Sequence, residues 1–340
     1  MQSNYHGVAP FLISPQQAFK DAGFDVTFVN GTDINSNSTS GFAAALTAAG
    51  EADVVIYAGG IDNTIEAESR DRSEITWPGN QLDLISQLAS VGKPLIVLQM
   101  GGGQVDSSSL KSNDKVNALI WGGYPGQSGG AALVDIITGK QSPAGRLPIT
   151  QYSATYASQV PMTDMTLRPS DSNPGRTYKW YTGEPVFEFG TGLHYTTFNF
   201  TWESTGSDSY DIQDLIQVAN SSDVSHVDLG TLDTFEVTVA NTGNATSDYV
   251  ALLFSSTTAG PSPAPLKELV SYTRVKAVAP GQSVTAELKV TLGSIARTDE
   301  DGNRVLYPGS YELQLDMNGT IKKTFTLSGS EAQLFAWPKA

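Results

Sequence analysis

The apolar positions of residues 1–140 fall into short runs separated by stretches of helical period. Phe24–Val29 (FDVTFV), Asp53–Tyr57 (DVVIY), Leu95–Leu98 (LIVL) and Val116–Trp121 (VNALIW) read as strands, and runs this apolar suit a sheet buried on both faces. Helical period fills the intervals. Ser14 is placed to cap a first helix, with Pro15 at the position where a missing N–H costs nothing, and Gly23 ends it. Ser40 precedes a second helix with Phe42, Ala45, Leu46 and Ala49 on one face. A third begins near Gly79 or Asn80, buries Leu82, Ile85, Leu88 and Ala89, and stops at Gly92-Lys-Pro94; a fourth spans about Ala131 to Thr138. Strands alternating with helices call for a mostly parallel sheet sandwiched between helices. The fold expected here is α/β.

Past residue 150 the pattern changes. Residues 151–208 keep no regular period, yet Tyr178, Trp180, Tyr181, Phe187 and Phe189 crowd together as they would not in a disordered linker, so an ordered connector is expected. From 209 onward the period is two: Phe235, Val237 and Val239 alternate with polar residues, as do Tyr311, Leu313 and Leu315. Asn241-Thr-Gly-Asn, Pro280-Gly-Gln and Pro308-Gly-Ser supply turns at intervals suited to an all-β, immunoglobulin-like sandwich. The expected organisation is an α/β domain over 1–150, a connector over 151–208 and a sandwich over 209–340.

Composition narrows the function. With 35 acidic and 20 basic residues the formal charge is −15, which disfavours nucleic acid and anionic membrane surfaces as partners. No apolar run is long enough to span a bilayer. Cysteine is absent, and the three histidines, His6, His194 and His226, are far apart in sequence, so thiol chemistry and a clustered histidine metal site are not expected. Two glycine-rich stretches, Gly101–Val105 and Gly122–Gly130, lack the endings of phosphate or dinucleotide loops and read as strand-to-helix turns; no cofactor is expected. Six Asn-X-Ser/Thr sites, at Asn30, Asn37, Asn199, Asn220, Asn244 and Asn318, suggest a secreted, glycosylated protein. The N-terminus has no signal-like apolar core, so Met1 is expected to be internal to a longer precursor.

The stretch most suited to chemistry is Ala58–Pro78, AGGIDNTIEAESRDRSEITWP. It leaves the carboxyl end of a predicted parallel strand, where ligands gather in open α/β sheets. It carries Asp62, Glu66, Glu68, Asp71, Arg72 and Glu74. In an extended segment Glu66 and Glu68 would point the same way. Repulsion between them, or burial of one, would yield a usable general acid; the plain alternative is a solvated acidic loop. Asp62 reads as a turn or capping residue, and Asp71 with Arg72 as an ion pair holding the loop.

GGIDNTIEAESRDRSEITWPGNQLDLI resembles the acid/base loop of the fungal β-xylosidases of glycoside hydrolase family 3. The resemblance continues in order through KPLIVLQMGGGQVDSSSLKSN, WGGYPGQSGG, PAGRLPITQY and NPGRTYKWYTGEPVFEFGTGLHYT, and more faintly beyond residue 200. Asn4-Tyr5-His6-Gly7 resembles the family segment that follows the first strand of this domain. The resemblance implies a fibronectin-type-III-like sandwich at the C-terminus, more a stabilising module than a sugar-binding one. It also implies a retaining exo-glycosidase whose aspartate nucleophile lies on an N-terminal TIM-like barrel, while this part supplies the glutamate acid/base. The nearest fit is a β-xylosidase acting on xylo-oligosaccharides. A β-glucosidase, an α-L-arabinofuranosidase or a non-catalytic carbohydrate-binding module are the alternatives. The six-residue step from Gly60 to Glu66 resembles the placement of the acid/base in related β-glucosidases, which favours Glu66, while Glu68 fits the fungal xylosidase pattern IExE and stays open.

Overall fold

The computed structural model describes residues 1–3 and 7–338, so the Asn4–His6 part of the entry segment lies outside the described residues. The chain divides into two compact units. One comprises Met1–Gln141, Gln151–Met165 and Glu184–Phe187; the other comprises Ser142–Thr150, Thr166–Gly183 and Glu188–Ala340.

The first unit is an α/β layer. Its elements run α1 (Pro15–Asp21), α2 (Phe42–Glu51), β1 (Val55–Gly60), α3 (Gln81–Ser90), β2 (Leu95–Met100), α4 (Ser108–Lys111), β3 (Ala118–Gly123), α5 (Gly129–Ile137) and α6 (Thr155–Gln159). The three strands form a parallel sheet in the order β1-β2-β3. Successive side chains of β1 face opposite layers, as the pleat requires. Tyr57 joins Phe42, Leu84, Ile85, Leu88 and Val97 beneath α2 and α3, while Ile56 packs with Ala18, Phe19 and Val134 of α1 and α5. Ile85, Leu95 and Val97 are wholly buried, each worth roughly 1.5–3 kcal/mol of transfer free energy.

Local signals act largely as their chemistry suggests. Ser14 Oγ accepts from Gln17 N at 3.1 Å to cap α1, and Gly23 takes φ +90° just past its end. Two expectations need correction. Helix α2 starts one residue later than the Ser40 cap would set, with Gly41 at the cap position and no side-chain bond; the Ser40 hydroxyl is engaged by Ser38 instead. Phe24–Val29 forms no strand. Val26 still packs against the α1–α5 layer near Ile56, but Phe24 and Phe28 are exposed. Among the described residues β1 has a ladder partner only in β2, so nothing completes a ladder with this segment.

The second unit is all-β apart from short helices. It contains α7 (Thr177–Trp180), β4 (Phe198–Ser204), β5 (Ser209–Asp211), α8 (Ile212–Ser221), β6 (Thr231–Asn241), β7 (Ser247–Thr257), β8 (Glu268–Val278), β9 (Ser283–Thr291) and α9 (Leu292–Ile295). After these come β10 (Arg297–Thr298), β11 (Arg304–Leu306), β12 (Gly309–Leu315), β13 (Lys322–Ser328) and β14 (Ala332–Phe335). Sheet β5-β13-β12-β7-β8 faces sheet β4-β6-β9 across one core, and β10-β11-β14 forms a third, small sheet. The alternating residues Phe235, Val237 and Val239 on one sheet and Leu313 and Leu315 on the other are fully buried. The chain is thus an α/β sandwich followed by an immunoglobulin-like β-sandwich. Helix α8, capped by the Asp211 carboxylate on Gln213 N and Asp214 N, is an addition that the strand pattern did not suggest.

Candidate active site

The acidic loop leaves β1 through Gly60, whose φ of +122° and close approach to Met100 admit no side chain: a Cβ there would lie 2.1 Å from Met100 O. Asp62 then organises the first turn. Its Oδ1 accepts from Thr64 N at 2.9 Å and Thr64 Oγ1 at 2.6 Å, while its carbonyl accepts from Ile65 N and Glu66 N. That turn aims Glu66. A second, tighter turn follows, in which Ala67 and Arg70 exchange both backbone hydrogen bonds and Ser69 takes φ +61°. Glu68 and Ser69 form its tip. Arg70 Nη1 donates to Thr64 O at 2.8 Å and ties the second turn to the first.

Glu66 and Glu68 are therefore not neighbours on an extended strand. The turn chemistry of Asp62 and Ser69 breaks the extension that would have aligned them. Glu66 is drawn inward: Arg72 Nε donates to its Oε2 at 2.8 Å, and Arg72 Nη1 reaches Gln104 O at 2.8 Å. The Arg72 side chain is 11% exposed and that of Glu66 42%. Gly103 makes room for the pair, since a Cβ there would come within 2.4 Å of Arg72 Nη2 and 2.7 Å of Glu66 Oε2. Glu68 stands exposed, its carboxylate in no hydrogen bond or ion pair among the described residues. The expected Asp71–Arg72 pair does not form. Adjacent residues on an open segment project to opposite sides, so Arg72 turns back onto Glu66 while Asp71 faces outward.

Neighbouring loops hold the far side of the acidic loop. Asp106 N donates to Ile75 O, and Asp106 Oδ2 accepts from Ala154 N at 2.7 Å. Gln104 Oε1 accepts from Tyr152 N at 2.7 Å. Tyr124 Oη, just past β3, donates to Asn63 Oδ1 at 3.4 Å. The carboxyl ends of β1, β2 and β3 thus converge on one polar rim, where an open α/β sheet takes its ligands. Sequence reasoning missed Gly103 and Gln104, because half-buried polar contacts between loops leave no periodic signal. The glycine-rich character of Gly101–Gly103 was the visible hint.

No three His, Asp or Glu side chains gather for a metal among the described residues. His194 lies in the second unit. Its half-buried ring has Nδ1 3.3 Å from Ser247 Oγ and stacks 5.5 Å from Tyr249. Burial, and then the Arg146 charge, push its pKa down. All six candidate glycosylation asparagines are exposed: Asn30, Asn37, Asn199, Asn220, Asn244 and Asn318. No helix among the described residues is long and apolar enough to cross a membrane.

Residues 1–195 match the Glycosyl hydrolase family 3 C-terminal domain, and residues 249–318 match the Fibronectin type III-like domain. Over 99% of its length the chain is 59% identical to the probable exo-1,4-beta-xylosidase xlnD of Aspergillus fumigatus, of which it covers 43%. It is likewise 59% identical to the exo-1,4-beta-xylosidase xlnD of Emericella nidulans, covering 42% of that protein. The chain therefore spans less than half the length of these relatives. Among solved structures, a GH3 exo-beta-xylosidase (XlnD) in complex with a xylobiose aziridine activity-based probe superposes with a TM-score of 0.97 at 59% identity, over 99% of this chain and 44% of that one. A Bifidobacterium adolescentis GH3 beta-glucosidase, at 22% identity and a TM-score of 0.77 over 96% of this chain and 47% of that one, shares the fold.

Proposed function

The chain belongs to glycoside hydrolase family 3, and from that premise we propose that it supplies the general acid/base to a retaining exo-β-xylosidase site. The substrate is a xylo-oligosaccharide, cut from its non-reducing end. The nucleophile, an aspartate, belongs to a TIM-like barrel. The three β/α strands found here cannot build that barrel, and the relatives have room for it beyond the stretch they share with this chain. Retention needs the two carboxyls about 5–5.5 Å apart, so the two halves meet across one sugar.

One observation carries the choice of residue. Glu66, which the spacing from Gly60 favours, has its oxygen turned to Arg72 and serves to hold the loop. Glu68 sits unpaired at the tip of a turn whose base is fastened. A general acid must bring a carboxyl oxygen within hydrogen-bond reach of the leaving oxygen, and an exposed tip can do that. Glu68 protonates the glycosidic oxygen as the aspartate attacks the anomeric carbon. Left as the carboxylate, it then takes a proton from the water that releases xylose. Glu66 and Arg72 keep the tip in place, and Glu66 remains the second candidate for the proton.

The exposure of all six sequons supports N-glycosylation and hence secretion. The first unit, most of residues 1–150, serves as the acid/base domain and the sandwich over 209–340 as a stabilising module; the 151–208 connector is divided between the two units and lends β4 to the sandwich.

The test is complementation. The chain alone should give no turnover of an aryl β-xyloside above blank. Joined to the part of the Emericella nidulans xylosidase that precedes the matched stretch, it should hydrolyse the β-xyloside faster than the β-glucoside or α-L-arabinofuranoside, releasing β-xylose first. Turnover by the chain alone, or inversion at the anomeric carbon in the joined enzyme, would overturn the reading.

A further inference from the structure

Gln81 is the first residue of α3, yet its side chain turns away from the helix and is 1% exposed. Its Oε1 accepts from Gly60 N at 2.8 Å and from Tyr57 Oη at 3.0 Å. The two hydrogens of its Nε2 go to Gly60 O at 2.9 Å and Ile34 O at 2.9 Å, and Pro78 O at 3.2 Å shares one of them as a weaker, bifurcated acceptor. The orientation of the amide is fixed by chemistry, because a backbone N–H can only donate and a carbonyl can only accept. Burial pushes the Tyr57 hydroxyl pKa well up, so it stays a protonated donor.

Gly60 and Pro78 are the two ends of the acidic loop. One buried side chain therefore closes the loop at its base, binding its first residue on both N–H and C=O and its last on the carbonyl. The same amide ties in Ile34 on the neighbouring loop. Asn80, one residue earlier, adds to that neighbouring contact: its Nδ2 donates to Ser38 O at 2.8 Å, and its Oδ1 accepts from Thr32 Oγ1 at 2.6 Å. With its ends fixed, the loop can carry its tip only where Asp62, Arg70 and Arg72 direct it. We propose that Gln81 is a positioning residue for the acid/base, setting the reach of Glu68 by clamping both ends of its loop. The proposal rests on the acid/base reading given above.

No other residue type reproduces this contact set. Methionine fills the volume but offers neither donor nor acceptor. Asparagine, one methylene shorter, cannot span Gly60, Ile34 and Pro78 together. Loss of the clamp lets the carboxyl wander, and misplacement of a reacting group by about 1 Å costs on the order of 100-fold in rate. The penalty falls on the step that needs protonation.

The test uses Gln81→Met and Gln81→Asn in the joined enzyme, with Glu68→Gln alongside. A positioning role predicts that kcat on xylobiose, a poor leaving group, falls at least about tenfold more than kcat on an activated aryl xyloside, with KM little changed. Equal losses on both substrates would mark Gln81 as merely structural and overturn the proposal. If Glu68→Gln itself shows no such selectivity, the acid/base reading fails, whatever Gln81 does. Hydrogen exchange on the chain alone gives a readout independent of activity. In Gln81→Asn the amides of residues 61–77 should exchange at least about tenfold faster while those of α3 and of the sandwich stay protected. Unchanged loop exchange would overturn the proposal.

Discussion

Replacing Arg72 by methionine isolates the contact that distinguishes the two glutamates. The substitution removes the charge-assisted bond to Glu66 Oε2 and the bond to Gln104 O, while the aliphatic volume stays. Both bonds have the charged guanidinium as donor, and a hydrogen bond to a charged group contributes about 1.5–3 kcal/mol; the half-buried Gln104 carbonyl regains part of this from water, which leaves about 1 kcal/mol for it. Glu66 is 42% exposed, so its carboxylate returns to water instead of being stranded, which discounts its bond to about 1 kcal/mol as well. The total is about 2 kcal/mol, well short of the 3–5 kcal/mol expected for breaking a fully buried pair. The core residues Ile85, Leu95 and Val97 belong to the layer beneath α3, so the loss should appear as local opening of the loop. The Ala67 and Arg70 amides, bonded to each other, report that opening; 2 kcal/mol corresponds to about 30-fold faster exchange. Glu66→Gln should speed the same amides, and the double variant should add little, since both remove one contact. Exchange within about threefold of the parent, or fully additive effects, would show that the pair does not hold the loop.

The remaining predictions concern both units. His194 has a pKa below its ordinary value in the folded chain, so unfolding takes up a proton at mildly acid pH. That stability is present above pH about 6.5 and is lost as pH falls through the folded value; the groups facing the ring are Arg146, Asp316, Tyr249 and Ser247. His194→Gln should flatten the fall in the sandwich melting temperature between pH 7 and about 5, and an unchanged slope would remove His194 as its cause. Gly60→Ala places a Cβ against Met100 O in a left-handed backbone and should cost roughly 3 kcal/mol, read as a lowered melting temperature of the α/β unit. In material from the native secreting host, Asn244 and Asn318, exposed beside turns, should carry glycan; mass analysis before and after deglycosylation checks this, and unmodified asparagines at all six sites would contradict secretion.

Much of this was legible because local and tertiary forces agree. The run at β2 is buried as its apolar composition requires, while β1 and β3, the outer strands of the three, are largely half-buried, and the alternation Phe235-Val237-Val239 could serve only a strand with one buried face. The misses share a physical cause: they depend on what lies next to a segment. Phe24–Val29 has the composition of a strand, but a strand exists only with a partner. Helix α8 has an aspartate cap and a mixed apolar face, and both were lost within a region read as alternating strands. Arg72 was paired with its sequence neighbour, although the turns at Asp62 and Ser69 bring Glu66 to it instead. The loop itself was visible from its carboxylates and its place after a strand. Which carboxylate is tied down depends on Gly103 and Gln104, thirty-odd residues away, and on backbone turns that spacing alone does not reveal.

The central claim is that Glu68, carried on a loop held by Glu66 and Arg72, is the acid/base. The most direct measurement is azide rescue of Glu68→Gln and Glu66→Gln in the joined enzyme on an activated aryl β-xyloside. With the base gone, azide attacks the xylosyl-enzyme in place of activated water and yields a β-xylosyl azide. The account predicts this product and a restored rate for Glu68→Gln, whereas Glu66→Gln loses activity through a loosened loop and gains nothing from azide. β-Xylosyl azide from Glu66→Gln, with Glu68→Gln near normal, would move the acid/base two residues back and contradict the account.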